Sequence, residues 1–134
     1  MAQIGTILGI DYGQSKIGLA IADQETRMAF AFDTLKNDKE FFKELKEIVK
    51  CENVEKIIIG VTLHGKDEQS SLEKHKFASK VEKEIKIIVH LHEEMFTTKM
   101  AQENIKLRGG KKISQTDDQE AARIILQSWL DMQN

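Results

Sequence analysis

The chain has 134 residues, 40% of them hydrophobic, which is enough to bury the core of one domain over residues 1–134 and too few for a second core. Its 20 basic and 22 acidic side chains give a net charge of −2, so binding to a polyanion would need a local basic patch. The single cysteine, Cys51, excludes an intramolecular disulfide, and no apolar run approaches the roughly 20 residues of a membrane span, so we expect a cytoplasmic protein with no membrane partner.

The first part of the chain predicts three strands followed by a helix. Residues 3–11 and 17–23 are short, β-branched apolar runs joined by a turn that contains Gly13, a pattern typical of a hairpin. Residues 28–35 predict a third strand. Residues 38–51 carry apolar side chains at helical spacing and predict a helix.

The second part of the chain alternates strands with helices. Residues 54–61 end in a nearly continuous apolar run, so we expect a parallel, central strand covered on both faces. A helix over 70–84 and a strand over 85–91 follow, and helices over 97–107 and 117–132 complete the chain. Because parallel strand pairs need helical crossovers, this order predicts an α/β fold, a mixed five-stranded sheet flanked by helices.

Acidic residues follow two of the predicted strands. Asp11 ends the first strand, which places its carboxylate at the rim of the sheet, although an aspartate in a turn can also accept hydrogen bonds from nearby backbone N–H groups. Glu93 and Glu94 follow the strand at 85–91, at the edge where open α/β sheets bind ligands. Only one of these two neighbours can readily face a site, and both could instead belong to an ordinary charged strand end.

A third acid, Asp118, lies in the last predicted helix. It shares one helical stripe, within about 40°, with three apolar residues: Ala122, Ile125 and Trp129. Thr116 resembles the first residue of a capping box, which would place Asp118 in the first turn of the helix. An aspartate there could simply complement the helix dipole, but an acid on the apolar face is less expected for that role.

These acids could converge at one edge of the sheet. Asp11, one glutamate of the pair Glu93 and Glu94, and Asp118 would then form a cluster of carboxylates, which resist joint ionisation unless a cation lies among them. Hard oxygen ligands suit Mg²⁺ or Mn²⁺, and such ions can activate water and assist an in-line phosphoryl displacement. The sequence therefore predicts a metal site with phosphoryl-transfer chemistry.

Basic residues are concentrated between positions 99 and 112. This stretch has five basic side chains and one acidic side chain in a chain of negative net charge. It could neutralise phosphates and position a strand without reading its sequence. It could also be a solvated helix end whose cations complement the helix dipole.

Two histidines alternate with Glu94 along the fifth predicted strand. His90, His92 and Glu94 have the spacing of a transition-metal site, because neutral imidazoles bind zinc, copper or nickel. No further ligand is identifiable in the sequence. We therefore favour hydrogen-bonded or exposed histidines.

Four blocks carry a more specific pattern: residues 9–20 (GIDYGQSKIGLA), 58–61 (IIGV), 93–101 (EEMFTTKMA) and 118–130 (DQEAARIILQSWL). In this order and spacing they resemble the YqgF family, also called RuvX-like, over essentially the whole chain. The family comprises small bacterial proteins with a ribonuclease H-like fold, described as Holliday junction resolvases and as pre-16S rRNA nucleases. The resemblance implies a metal-dependent nuclease that acts on structured nucleic acid.

The resemblance also implies the site residues and the partner. Asp11, Glu94 and Asp118 match the positions of the catalytic acids, which would also be the ligands of Mg²⁺ or Mn²⁺. The partner would be precursor rRNA or branched DNA, bound by a monomer or a homodimer. The residues that we expect to bind it are all basic: Lys16, Lys99, Lys106, Arg108, Lys111 and Lys112.

The chain departs from the family pattern in ways that leave an alternative open. Met95 stands where the family has an arginine, Glu93 replaces an aspartate, and Thr62 replaces a proline. The lost arginine favours an alternative in which the chain binds RNA or a ribosome precursor without cutting it. An actin-like ATPase fragment, suggested by Asp11 and the hairpin after it, would need a second domain for which 134 residues leave no room. The three acids favour catalysis.

Overall fold

The computed structural model describes residues 5–62, 68–94 and 114–133. Its elements in chain order are β1 (Thr6–Asp11), β2 (Lys16–Asp23), β3 (Ala29–Lys36), α1 (Phe41–Cys51), β4 (Val54–Thr62), α2 (Glu68–Ile85), β5 (Ile88–Glu94) and α3 (Ser114–Asp131). Over this part of the chain, the helices lack the combination of length and apolar character needed to cross a bilayer.

The strands form one mixed sheet in the order β3-β2-β1-β4-β5. β2 pairs antiparallel with both β1 and β3, while β4 pairs parallel with both β1 and β5. The predicted five-stranded mixed sheet is therefore confirmed, as is the parallel pairing of the first and fourth strands. β4 is an interior strand, as its apolar run indicated, but β1 occupies the centre of the sheet.

A hydrophobic core covers each face of the sheet. On one face, α1 and α2 pack on a core formed by Leu8, Ile10, Ile17, Leu19, Leu35, Phe41, Leu45, Val54, Ile57, Ile59, Phe77, Ala78 and Val81. On the other face, α3 packs on a core formed by Ile7, Ala20, Ala22, Ala29, Ile58, Ala122, Ile125, Leu126 and Leu130. Each large aliphatic side chain buried in this way contributes roughly 1.5–3 kcal/mol to folding. The second core fixes α3 on the sheet.

The fifth strand is displaced from its predicted position. It runs from Ile88 to Glu94 instead of over 85–91. The cause lies at Lys86, whose φ of 61° is left-handed and whose N–H donates to the carbonyl of Glu82 at 2.9 Å. Because this conformation ends α2 and cannot continue into an extended strand, β5 begins only after it.

Two helix starts also differ from the prediction. α3 begins at Ser114, so Thr116 lies inside the helix, the predicted capping box is wrong, and Asp118 lies beyond the first turn. The apolar stripe could not mark this start because the first four residues of the helix are all polar. α1 begins at Phe41 instead of residue 38, because the Asp38 side chain accepts the N–H of Glu40 at 2.9 Å in a turn that precedes the helix. The predicted helix over 97–107 lies outside the described residues.

Candidate active site

The strand directions bring the ends of several strands to one edge of the sheet. β1, β4 and β5 all end there, since they run parallel to one another, and we call it the carboxyl edge. β2 begins at this edge and β3 ends at it, because each is antiparallel to its neighbour. The carboxyl edge therefore carries the backbone of Asp11 and Glu94.

Asp11 and Asp118 are brought together through Gly18. Asp11 is the cross-strand partner of Gly18, a pairing that places Cα atoms about 5 Å apart. The main chain of α3 at Asp118 packs directly on Gly18, so that a Cβ atom on this glycine would overlap the Asp118 carbonyl. Both aspartates are half-buried, and each takes part in polar interactions. The main chains of two of the three predicted acids thus adjoin the same glycine, where α3 crosses the end of β1.

Glu94 lies on the same edge but not beside Asp11. The pairing of Ile10 with Ile59 and of Gly60 with His92 puts His92 level with Asp11, so Glu94 is two residues farther along its strand. β4 lies between the two strands, which separates their backbones by roughly 10 Å. The side chains of Glu93 and Glu94 are outside the described part of the structure. In the part that is described, three or more His, Cys, Asp or Glu side chains do not gather as a metal site.

The two histidines of β5 contact α3. His92 is only 7% exposed, and its Nε2 atom lies 3.0 Å from the Ser128 hydroxyl. The His90 ring packs against Trp129 with ring centroids 5.7 Å apart. The predicted hydrogen-bonded histidine is confirmed for His92. The hydrogen bond between His92 and Ser128 joins β5, at the edge of the sheet, to α3, the helix that carries Asp118.

Lys16 is the one predicted phosphate-binding residue that lies in the described part of the chain. It is exposed at the start of β2, on the carboxyl edge, two residues before Gly18. The others lie between residues 95 and 113, outside the described residues: Lys99, Lys106, Arg108, Lys111 and Lys112. At least one cation therefore lies on the carboxyl edge, two residues from Gly18.

Comparisons with known proteins identify the family of this chain. A family model described as "RuvX: Holliday junction resolvase" matches residues 5–132. The chain belongs to the RuvX family. A relative from Maridesulfovibrio salexigens is 32% identical over 92% of this chain and 96% of its own length, and is named "Putative pre-16S rRNA nuclease". Relatives of the same name from Anaplasma marginale and Pseudomonas syringae pv. tomato are 35% and 33% identical over 94% and 98% of this chain, and over 84% and 94% of their own.

Solved structures of resolvases share the fold of this RuvX-family chain. Thermus thermophilus RuvC in complex with a Holliday junction substrate matches with a TM-score of 0.61 at 14% identity, over 93% of each chain. The fowlpox virus Holliday junction resolvase matches with a TM-score of 0.56 at 13% identity, over 96% of this chain and 99% of its own. The predicted ribonuclease H-like fold is confirmed.

Two residues at this edge of the RuvX-family chain escaped the sequence analysis. Gly18 belongs to a sequence motif, but only the packing of α3 reveals that it adjoins both Asp11 and Asp118. Lys36 ends β3 directly opposite Lys16. The signal for Lys36 was its place at the end of a predicted strand, which becomes informative only when the strand register is known.

Proposed function

We propose that this chain is a cytoplasmic, metal-dependent nuclease that hydrolyses phosphodiester bonds in structured nucleic acid, with Asp11, Glu94 and Asp118 as its catalytic acids. The observation that carries the proposal is the approach of the Asp11 and Asp118 main chains to Gly18 at the carboxyl edge. Membership of the RuvX family, whose relatives bear nuclease names, supports the same activity.

The donor set at this edge fits a hard divalent cation. Asp11 and Asp118 offer carboxylate oxygens, which Mg²⁺ and Mn²⁺ prefer, and Glu94 would complete the set from β5. A bound cation would supply positive charge that stabilises the oxygens of an in-line displacement and would lower the pKa of the attacking water.

The chain's own contribution is to hold the acids in place before substrate arrives. Asp11 ends the central strand, directly after Ile10, which is fully buried. Asp118 is held by the packing of α3, in which Ala122 and Ile125 follow it on the buried face of the helix. Side chains carried on rigid elements keep their geometry better than side chains on loops, so little reorganisation is needed when charge develops in the reaction.

Precursor 16S rRNA is the substrate we propose first. Relatives that are 32% to 35% identical over more than nine-tenths of this chain are named for it. Four-way DNA junctions are the second candidate, because the matching family model is described as a Holliday junction resolvase. Symmetrical cutting of a junction needs two active sites and hence a homodimer, whereas a monomer suffices for trimming RNA.

A cleavage panel tests the proposal. Purified protein is incubated with a labelled 16S rRNA precursor and a labelled four-way junction, in Mn²⁺ and in EDTA, beside the variant Asp11→Asn. We expect cleavage of at least one substrate by the wild type in Mn²⁺ only, and loss of cleavage in the variant. Binding without cleavage would support the alternative, a non-catalytic RNA-binding protein. Equal cleavage in EDTA would contradict metal dependence.

A further inference from the structure

Two lysines face each other at the carboxyl edge. Lys16, at the start of β2, is the direct cross-strand partner of Lys36, at the end of β3, and both side chains are exposed. The next pair inward, Ile17 with Leu35, is buried on the face covered by α1 and α2. Since side chains alternate along a strand, the two lysines lie on the opposite face, the one that Gly18 presents to α3.

The contact between the two lysines is repulsive. Like charges directly opposite each other on neighbouring strands repel and destabilise a sheet. Among the residues that the structure describes, neither Lys16 nor Lys36 forms a salt bridge that would offset this repulsion. A bound anion would remove the repulsion, and the nearest chemistry to this pair is the proposed phosphodiester site.

The pair is also held at a fixed position. Asn37, the residue after Lys36, donates its backbone N–H to the carbonyl of Ser15 at 2.9 Å. Its side-chain amide donates to the carbonyl of Gly13 at 2.8 Å. These two bonds fasten the end of β3 to the turn between β1 and β2. The lysines therefore keep their place relative to Asp11, which directly precedes that turn.

We infer that Lys16 and Lys36 form a phosphate clamp, which holds the backbone of the substrate strand on the β2–β3 side of the aspartate pair. The inference rests on the proposed function and names the part of the substrate that this surface contacts. Lys16 is two residues from Gly18, roughly 7 Å along β2, so the clamped phosphate adjoins the bond that is cut. Ammonium groups bind phosphate as point charges, so the clamp contributes affinity and register without reading bases.

Salt-dependent binding tests the clamp. The dissociation constants of the 16S rRNA precursor and the four-way junction are measured against KCl concentration in EDTA, which keeps binding separate from cleavage. The variants are Lys36→Gln, Lys16→Gln and the double variant, with Lys36→Arg as the charge-conserving change. The control is Lys50→Gln, because Lys50 is exposed in the last turn of α1, at the opposite end of the sheet.

Each clamp lysine should account for about one phosphate contact. In a plot of log affinity against log salt concentration, we expect Lys36→Gln to reduce the magnitude of the negative slope by about 0.7–0.9. The double variant should reduce it by about twice as much. Lys36→Arg and Lys50→Gln should keep the wild-type slope. The melting temperature of Lys36→Gln should equal or exceed that of the wild type, because a repulsive pair is removed.

Several results would overturn the clamp, and they are distinct from failure of the nuclease. An unchanged slope in Lys36→Gln, an equal loss in Lys50→Gln, or wild-type protein that binds neither probe would each refute it. If wild-type protein cleaves while the slopes do not change, the clamp alone is wrong. If the slopes change as expected but no cleavage occurs in Mn²⁺, the clamp stands and the proposed catalysis falls.

Discussion

Gly18 lies between the two aspartates, and its replacement by alanine gives a sharp prediction. The added methyl group would meet the backbone carbonyl of Asp118, which cannot move without moving the helix. Overpacking of this kind costs about 1–3 kcal/mol, and replacing a strand glycine returns up to about 1 kcal/mol of backbone entropy. We therefore expect Gly18→Ala to lower the free energy of unfolding by about 1–2 kcal/mol and to displace Asp118 from Asp11.

Gly60→Ala is the matched control, because Gly60 also lies beneath α3. Its new methyl group would meet side-chain atoms of the fully buried Ile125 and not the helix main chain, so we expect the free energy of unfolding to fall by about 1–3 kcal/mol without displacement of Asp118. Urea unfolding measures both changes, and calorimetric titration with Mn²⁺ measures metal affinity. Gly18→Ala should weaken Mn²⁺ binding roughly tenfold or more, while Gly60→Ala should not. Equal Mn²⁺ affinity in the two variants would refute the role assigned to Gly18.

Three further predictions concern stability and are checked by urea unfolding. Lys86→Gly should raise the free energy of unfolding by about 0.5–1 kcal/mol, because the left-handed φ of 61° suits glycine; a loss of stability would contradict this. Gln127→Ala should lower the free energy of unfolding by about 1–2 kcal/mol, because the Gln127 side-chain oxygen accepts the N–H of Ala29 at 2.9 Å. An unchanged free energy of unfolding would contradict this role of the hydrogen bond. Ser128→Ala should cost about 1–3 kcal/mol because buried His92 loses its 3.0 Å partner, and a neutral result would mean that water replaces the hydroxyl.

Much of the fold could be predicted because hydrophobic spacing reports burial directly. The continuous run Ile57, Ile58 and Ile59 indicated a strand covered on both faces, and all three side chains are fully buried. The start of β5 could not be predicted, because a lysine at position 86 gives no sign of the left-handed conformation that ends α2. The start of α3 could not be predicted from hydrophobic spacing because its first four residues are all polar.

Sequence patterns indicate the candidate residues of the site but not their geometry. The helical stripe singled out Asp118, and the end of an apolar strand singled out Asp11. Their approach to each other depends on a tertiary contact at Gly18, which no local pattern encodes. Lys36 was missed for a related reason. Its pairing with Lys16 depends on the register of β2 and β3, which contains an irregularity between Leu19 and Ala20.

The comparison of Asp118→Asn with Asp117→Asn in a Mn²⁺ cleavage assay tests the central claim most directly. The two variants make the same chemical change one residue apart in α3, and the main-chain atoms nearest to Gly18 belong to Asp118. We expect Asp118→Asn to lose nearly all cleavage, keep its binding to nucleic acid, and retain or exceed wild-type stability in metal-free buffer, because neutralising one acid relieves repulsion in the cluster. Asp117→Asn should cleave at close to the wild-type rate. Wild-type cleavage by Asp118→Asn, or inactivity of Asp117→Asn alone, would contradict the account.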